Sequence, residues 1–231
     1  MTEKQPDYIG HRQRLKERFR LGGGRDMADY EMLELLLTLA IPRRDTKPLA
    51  KELVKAFGSF AAVLNAPAEK LMEFDGLKDS GVLVFNLVKE AALRMSWQKL
   101  CESEMPILSN WDSMVDYCRM VAGYKEREEF HVIFLDAKSR VIEEEIQQRG
   151  TVDSVAIHPG EVVKSAVLKG AKSIILLHNH PSGDVTPSSA DILITKKVNE
   201  GLASVDIRLV DHLIVSKYDV YSFRDHGVLK Y

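Results

Sequence analysis

The spacing of hydrophobic positions changes character once along this chain. Through about residue 100, apolar residues recur at helical spacing between short breaks. The stretch "YEMLELLLTLAI" predicts an apolar helix stopped by Pro42, and "TKPLAKELVKAFG" an amphipathic one ending at Gly58. "APAEKLMEF" opens with a proline suited to a first helical turn, and "SGVLVFNLVKEAALRMSWQKL" predicts a longer helix. From about Ile107 the pattern shifts: after a helix over "SMVDYCRMVAG", the runs "EEFHVIFLD", "RVIEEEIQQRG" and "TVDSVAIH" are short, rich in Val, Ile and Phe, and read as strands. "PGEVVKSAVLKG" returns to helical spacing and closes at Gly170, while "KSIILLH" is the continuous apolar run of a strand covered on both faces. "SSADILITKKVNEGLA" predicts a helix, and "VDIRLVDHLIVS" one or two further strands before a short tail. A helical half followed by a mixed β/α half argues for two domains, residues 1–104 and 105–231, with the boundary in "CESEMPILS".

Composition narrows the function without naming it. With 231 residues, 45% of them hydrophobic, the chain can bury a proper core and reads as an ordinary globular protein. Its net charge of -2 supplies no bulk attraction to nucleic acid or anionic membrane, so any such binding has to be local. The most basic stretch, "GHRQRLKERFR", fits a solvated helix face. No apolar run approaches the ~20 residues of a membrane span, and no apolar N-terminal signal region is present, so no membrane association is expected. Cys101 and Cys118 form no C-x-x-C pair, which speaks against a thiolate zinc site and for a reduced, cytoplasmic protein.

Candidate chemistry concentrates in "HNHPSGDVTPSSAD", residues 178–191. His178 and His180 stand two apart at the end of a predicted strand and can project to one side. Ligands gather at the carboxyl ends of strands in such sheets. Ser188 opens the next helix, and Asp191 in its first turn can add a carboxylate. Two imidazoles and one carboxylate with an open fourth position describe a catalytic kind of zinc site. Plainer readings exist: Ser188-x-x-Asp191 is also a helix-capping pattern, the two histidines fit an exposed loop, and Asp184 fits a turn. His131, His158, His212 and His226 lack partners at ligand spacing and read as packed or surface histidines, and Glu161 is accounted for by a helix N-terminus. H-E-x-x-H, the paired H-x-E and P-C-x-x-C of zinc deaminases, and G-x-x-x-x-G-K-[ST] are all absent.

Together the residues spell H-x-H-x(7)-S-x-x-D, which resembles the JAMM (MPN+) metalloprotease signature. The flanking "HNHPSGD", "RGTVDS" and "HPGEVVKSAVLKGA" segments resemble the RadC family of JAMM-like proteins, closely over about residues 107–231. The resemblance implies an α/β chain: an all-α helix-hairpin-helix domain followed by a JAMM domain, a cytidine deaminase-like mixed sheet flanked by helices. It implies one zinc ion held by His178, His180 and Asp191, with Ser188 bonding an oxyanion or the attacking water. It also implies a glutamate base from an earlier strand, matched by Glu128 with Glu129 as the adjacent alternative. The expected substrate is a protein or peptide.

"GSFAAVLNAPAEKLMEFDGLKDSGVLVFNLVKEAA" resembles a helix-hairpin-helix region, which implies weak, salt-sensitive DNA binding through the N-terminal domain. In its turn, "DGLKDSG", Lys78 stands where the family pattern often has a second glycine, and Asp75 and Asp79 flank the site. Two function classes follow. One is a zinc-dependent hydrolase of peptide or isopeptide bonds; the other is a DNA-associated or scaffolding protein with a non-catalytic metal site.

Overall fold

The structure is a computed structural model and describes residues 8–149 and 157–229. Most of the expected strand "TVDSVAIH" lies outside the described residues. The chain divides into two compact units, Met1–Ala92 and Leu93–Tyr231.

The first unit is helical: α1 (Tyr8–Gly22), α2 (Asp29–Ala40), α3 (Lys47–Phe57), α4 (Phe60–Asn65), α5 (Ala68–Met72) and the first part of α6 (Asp79–Cys101). Its core joins Leu33 and Leu37 of α2, Leu53 of α3, Val63 of α4, Leu71 of α5 and Phe85 of α6. Helix α2 stops where Pro42 cannot continue it, and α3 stops at Gly58, whose φ of 96° is open to glycine at little cost. The basic face of α1 is partly held within the unit: Arg18 pairs with Glu31 at 2.7 Å, and Arg12 donates to the carbonyls of Ile41 and Pro42. In the turn before α6, Gly76 adopts φ 88° and Asp75 pairs with Arg44 at 2.8 Å.

The second unit begins within α6, whose Leu93, Trp97 and Leu100 already pack into its core. It continues through α7 (Trp111–Ala122), β1 (Glu129–Leu135), β2 (Val141–Arg149), α8 (Pro159–Leu168), β3 (Ser173–Asn179), α9 (Ser189–Ala203), β4 (Arg208–Val215) and β5 (Val220–Ser222). The strands form one mixed sheet in the order β2-β1-β3-β4-β5, with β3 parallel to β4 and the other neighbours antiparallel. The three-residue β5 falls in what the sequence shows as a tail, because so short a strand carries no readable alternation.

The central position of β3 explains its unbroken apolar run. Ile174 and Leu176 face a core that includes Val162 of α8 and Val198 and Leu202 of α9, while Ile175 and Leu177 face one that includes Met114 and Cys118 of α7. A strand covered on both sides has no polar face to show, so its first polar side chains after Ser173 arrive only at its carboxyl end. Replacement of Ile175 by Ala is expected to cost about 2–5 kcal/mol in denaturant unfolding. Leu168→Ala, at a side chain 75% exposed, is expected to stay within about 0.5 kcal/mol.

Candidate metal centre

At the end of β3 the period-2 alternation of the strand assigns neighbouring residues to opposite faces. His178 turns toward the α8/α9 side, where it stacks on its cross-strand partner Phe130 with ring centroids 6.0 Å apart. Asn179 turns to the other side. His180 follows directly, its backbone N–H bonded to the carbonyl of Val215 at 2.9 Å, so the sheet's register fixes where its ring begins.

The next eleven residues bring back a carboxylate. The chain turns through Gly183, at φ 92°, and the carbonyl of Asp184 accepts a hydrogen bond from Nδ1 of His180 at 2.6 Å. Ser188 then caps α9: its Oγ accepts from the Asp191 N–H at 3.1 Å, while Asp191 Oδ2 accepts from the Ser188 N–H at 2.7 Å. This is a reciprocal capping box, and it holds the Asp191 carboxylate in the first turn, beside the histidines. The capping reading of Ser188-x-x-Asp191 is thus borne out, and the same geometry leaves the Asp191 carboxylate beside the histidines.

His178 Nε2 lies 3.0 Å from His180 Nε2 and 3.3 Å from Asp191 Oδ1, and His180 Nε2 lies 3.6 Å from Asp191 Oδ2. Among the described residues, these three form the cluster of His, Cys, Asp or Glu whose ligand atoms, within 4.8 Å of one another, could hold a metal ion. The donor set fits zinc. A backbone carbonyl only accepts, so His180 Nδ1 carries the hydrogen given to Asp184 and the Nε2 of the neutral ring keeps its lone pair. Two imidazoles and a carboxylate are a three-ligand set that leaves a coordination position open. Burial opposes the ionised form of Asp191, yet the close approach of the His178 and His180 rings outweighs it and holds the carboxyl well below the usual range. The contact with Asp191 likewise raises the pKa of His180.

The cleft above this cluster has a volume of about 680 Å³ and is lined by Glu128, Phe130, Ser188, Leu193, Ile194 and Lys197 besides the three clustered residues. Glu128 immediately precedes β1 and shares the Phe130 side of the strand. Glu129 turns the other way, to within 3.4 Å of both Lys125 Nζ and His131 Nε2. Which of two adjacent glutamates reaches the cleft is therefore a matter of strand parity.

Two residues important to this arrangement were given no place in the site by the sequence. Asn179, 1% exposed, accepts from the N–H of Glu129 at 2.8 Å and donates to the carbonyls of Arg127 at 3.1 Å and Lys125 at 3.3 Å. The middle residue of His-Asn-His thus clamps the backbone on both sides of Glu128. His212, read as a packed or surface histidine, is fully buried, and its Nε2 lies 2.8 Å from Nδ1 of His178. Burial pushes its pKa well below the ordinary histidine value. The other histidines lie elsewhere: His158 precedes α8, His131 sits between Glu129 and Glu144, and His226 stacks on Tyr221. Glu161 pairs with Lys164 at 3.1 Å in the first turn of α8.

Residues 108–228 match the family model described as a RadC-like JAB domain. A UPF0758 protein of Ruegeria pomeroyi is 43% identical over 225 residues, covering 97% of this chain and all of that protein. A UPF0758 protein of Rhodobacter capsulatus is 44% identical over 215 residues, covering 93% of this chain and all of its own length. No helix among the described residues is long and apolar enough to cross a membrane. The chain belongs to the RadC family, and its second unit carries a RadC-like JAB domain, a fold of JAMM-type metal-dependent hydrolases, with a candidate metal site at His178, His180 and Asp191.

Proposed function

We propose that this chain is a zinc-dependent hydrolase that cleaves a peptide or isopeptide bond in the cleft at the end of β3. The observation that carries the reading is the convergence of His178, His180 and Asp191 in a cleft that Glu128 and Ser188 also line. Bound there, zinc would supply Lewis-acid polarisation of the scissile carbonyl and of the attacking water.

The remaining work falls to side chains of the chain itself. Amide hydrolysis needs a group that takes a proton from the water and returns it to the departing nitrogen, since an amine leaves poorly as an anion. Glu128 fills that role, being a cleft-lining carboxylate outside the ligand set. Ser188 Oγ accepts the Asp191 N–H, which leaves its own hydroxyl hydrogen to donate to the oxygen that gains charge as the carbonyl carbon becomes tetrahedral. Phe130, Leu193 and Ile194 give the cleft apolar surface that shields the reacting bond from bulk water and suits an uncharged substrate side chain.

An unbiased peptide-cleavage screen on zinc-loaded protein tests the activity, and absence of any metal-dependent cleavage would count against it. With a substrate found, Glu128→Gln is expected to retain stoichiometric zinc while turnover falls about 10²–10⁴-fold. Glu129→Gln, on the other face, is expected to leave turnover far less affected. The two partners of the capping box should separate in elemental analysis. Asp191→Asn keeps an oxygen that can accept the Ser188 N–H, so α9 should persist while bound zinc is lost. Ser188→Ala should keep zinc, lose about 1 kcal/mol of stability with the cap, and slow turnover about 10²–10³-fold.

A further inference from the structure

We propose that His212 and Thr195 form a positioning relay that fixes His178 in the tautomer with hydrogen on Nδ1, leaving its Nε2 lone pair directed at Asp191 and His180. The inference rests on the metal-holding reading of that cluster and adds two residues to it.

The relay exists because of a fault in the sheet. Between β3 and β4, Ile174 pairs with Leu209 but Ile175 pairs with Asp211, so Val210 is an extra residue. A bulge of this kind reverses the parity of everything after it. Leu209 belongs to the core on the α9 side, and without the bulge Asp211 would follow it there. With the bulge it is His212, paired with Leu176, that joins that face. Its ring stacks on Phe223 with centroids 4.7 Å apart and meets the edge of Phe130 at 5.7 Å. Both ring nitrogens are taken: Nε2 by His178 Nδ1 at 2.8 Å and Nδ1 by Thr195 Oγ1 at 2.6 Å.

The direction of each hydrogen bond follows from one end of the chain. Thr195 Oγ1 lies 2.5 Å from the carbonyl oxygen of Asp191, one turn earlier in α9. A carbonyl has no hydrogen to give, so the single hydroxyl hydrogen of Thr195 is committed there, and its oxygen must accept from His212. His212 therefore carries hydrogen on Nδ1. It is fully buried, and the partners of its two nitrogens are a hydroxyl and an imidazole, neither of them a carboxylate, so the ring stays neutral and Nε2 accepts. His178 Nδ1 must then be the donor. Its Nε2 is left without hydrogen, 3.3 Å from Asp191 Oδ1 and 3.0 Å from His180 Nε2. The chain begins and ends on the two metal-binding residues that different elements supply, so it also ties α9 to β3 across β4.

The test uses the whole protein and zinc itself. Zinc affinity is measured by competition with a chromogenic chelator for the wild type, Thr195→Val, Thr195→Ser and His212→Phe. Thr195→Val keeps the shape but removes the hydroxyl, and it is expected to weaken zinc binding about 10–100-fold, as is His212→Phe. Thr195→Ser restores the hydroxyl and should bind within a few-fold of wild type. Long-range proton–nitrogen correlation spectra of metal-free wild type should show His178 and His212 both protonated on Nδ1. Folded Thr195→Val and His212→Phe proteins with wild-type zinc affinity would overturn the relay, and so would a neutral His178 protonated on Nε2. Wild-type protein that binds no zinc would defeat the metal reading instead, and the spectra would still decide the tautomer.

Discussion

Two imidazole nitrogens and a carboxylate within hydrogen-bonding distance of one another repel unless a proton or a cation lies among them. At the end of β3 the hydrogens are directed outward: His180 gives its own to the Asp184 carbonyl, and His178 gives its own to His212. The two inward nitrogens and the Asp191 carboxylate are left as Lewis bases, with contacts of 3.0 to 3.6 Å between them. Such an arrangement is held against its own repulsion by the surrounding structure, and a divalent cation converts that repulsion into binding.

The fold is suited to bear this load. His178 lies in the central strand of the sheet, with packed helices on both faces, so its backbone has little freedom to relax. Asp191 is held by a capping box and, through Thr195, by the relay. Glu128 stands outside regular structure, but Asn179 grips the backbone to either side of it. Every element of the candidate site is thereby referred to the same strand end.

Much of this was legible in the chain. The unbroken apolar run of "SIILL" announced a strand covered on both faces, and local periodicity put His178 and His180 on one side, while Ser188 and Asp191 joined them only through the resemblance to the JAMM signature. His212 was not legible. Its distance from the motif hides the contact, and an extra residue in β4, which no pattern in "VDIRLVDHLIV" marks, sets the face on which it emerges. Asn179 escaped for a different reason: as the middle residue of the motif it points away from the cluster, and its three partners are backbone atoms that carry no sequence signal. Glu128 and Glu129 could not be separated until the strand parity was known.

The central claim is that these three residues hold one metal ion. It is tested most directly by diffraction from zinc-soaked crystals, with anomalous data collected on both sides of the zinc absorption edge. The account predicts a single strong peak bonded to His178 Nε2, His180 Nε2 and an Asp191 oxygen at about 2.0–2.2 Å, with no fourth protein ligand. Zinc bound elsewhere while this cluster stays empty, or a site closed by a fourth side chain, would contradict it.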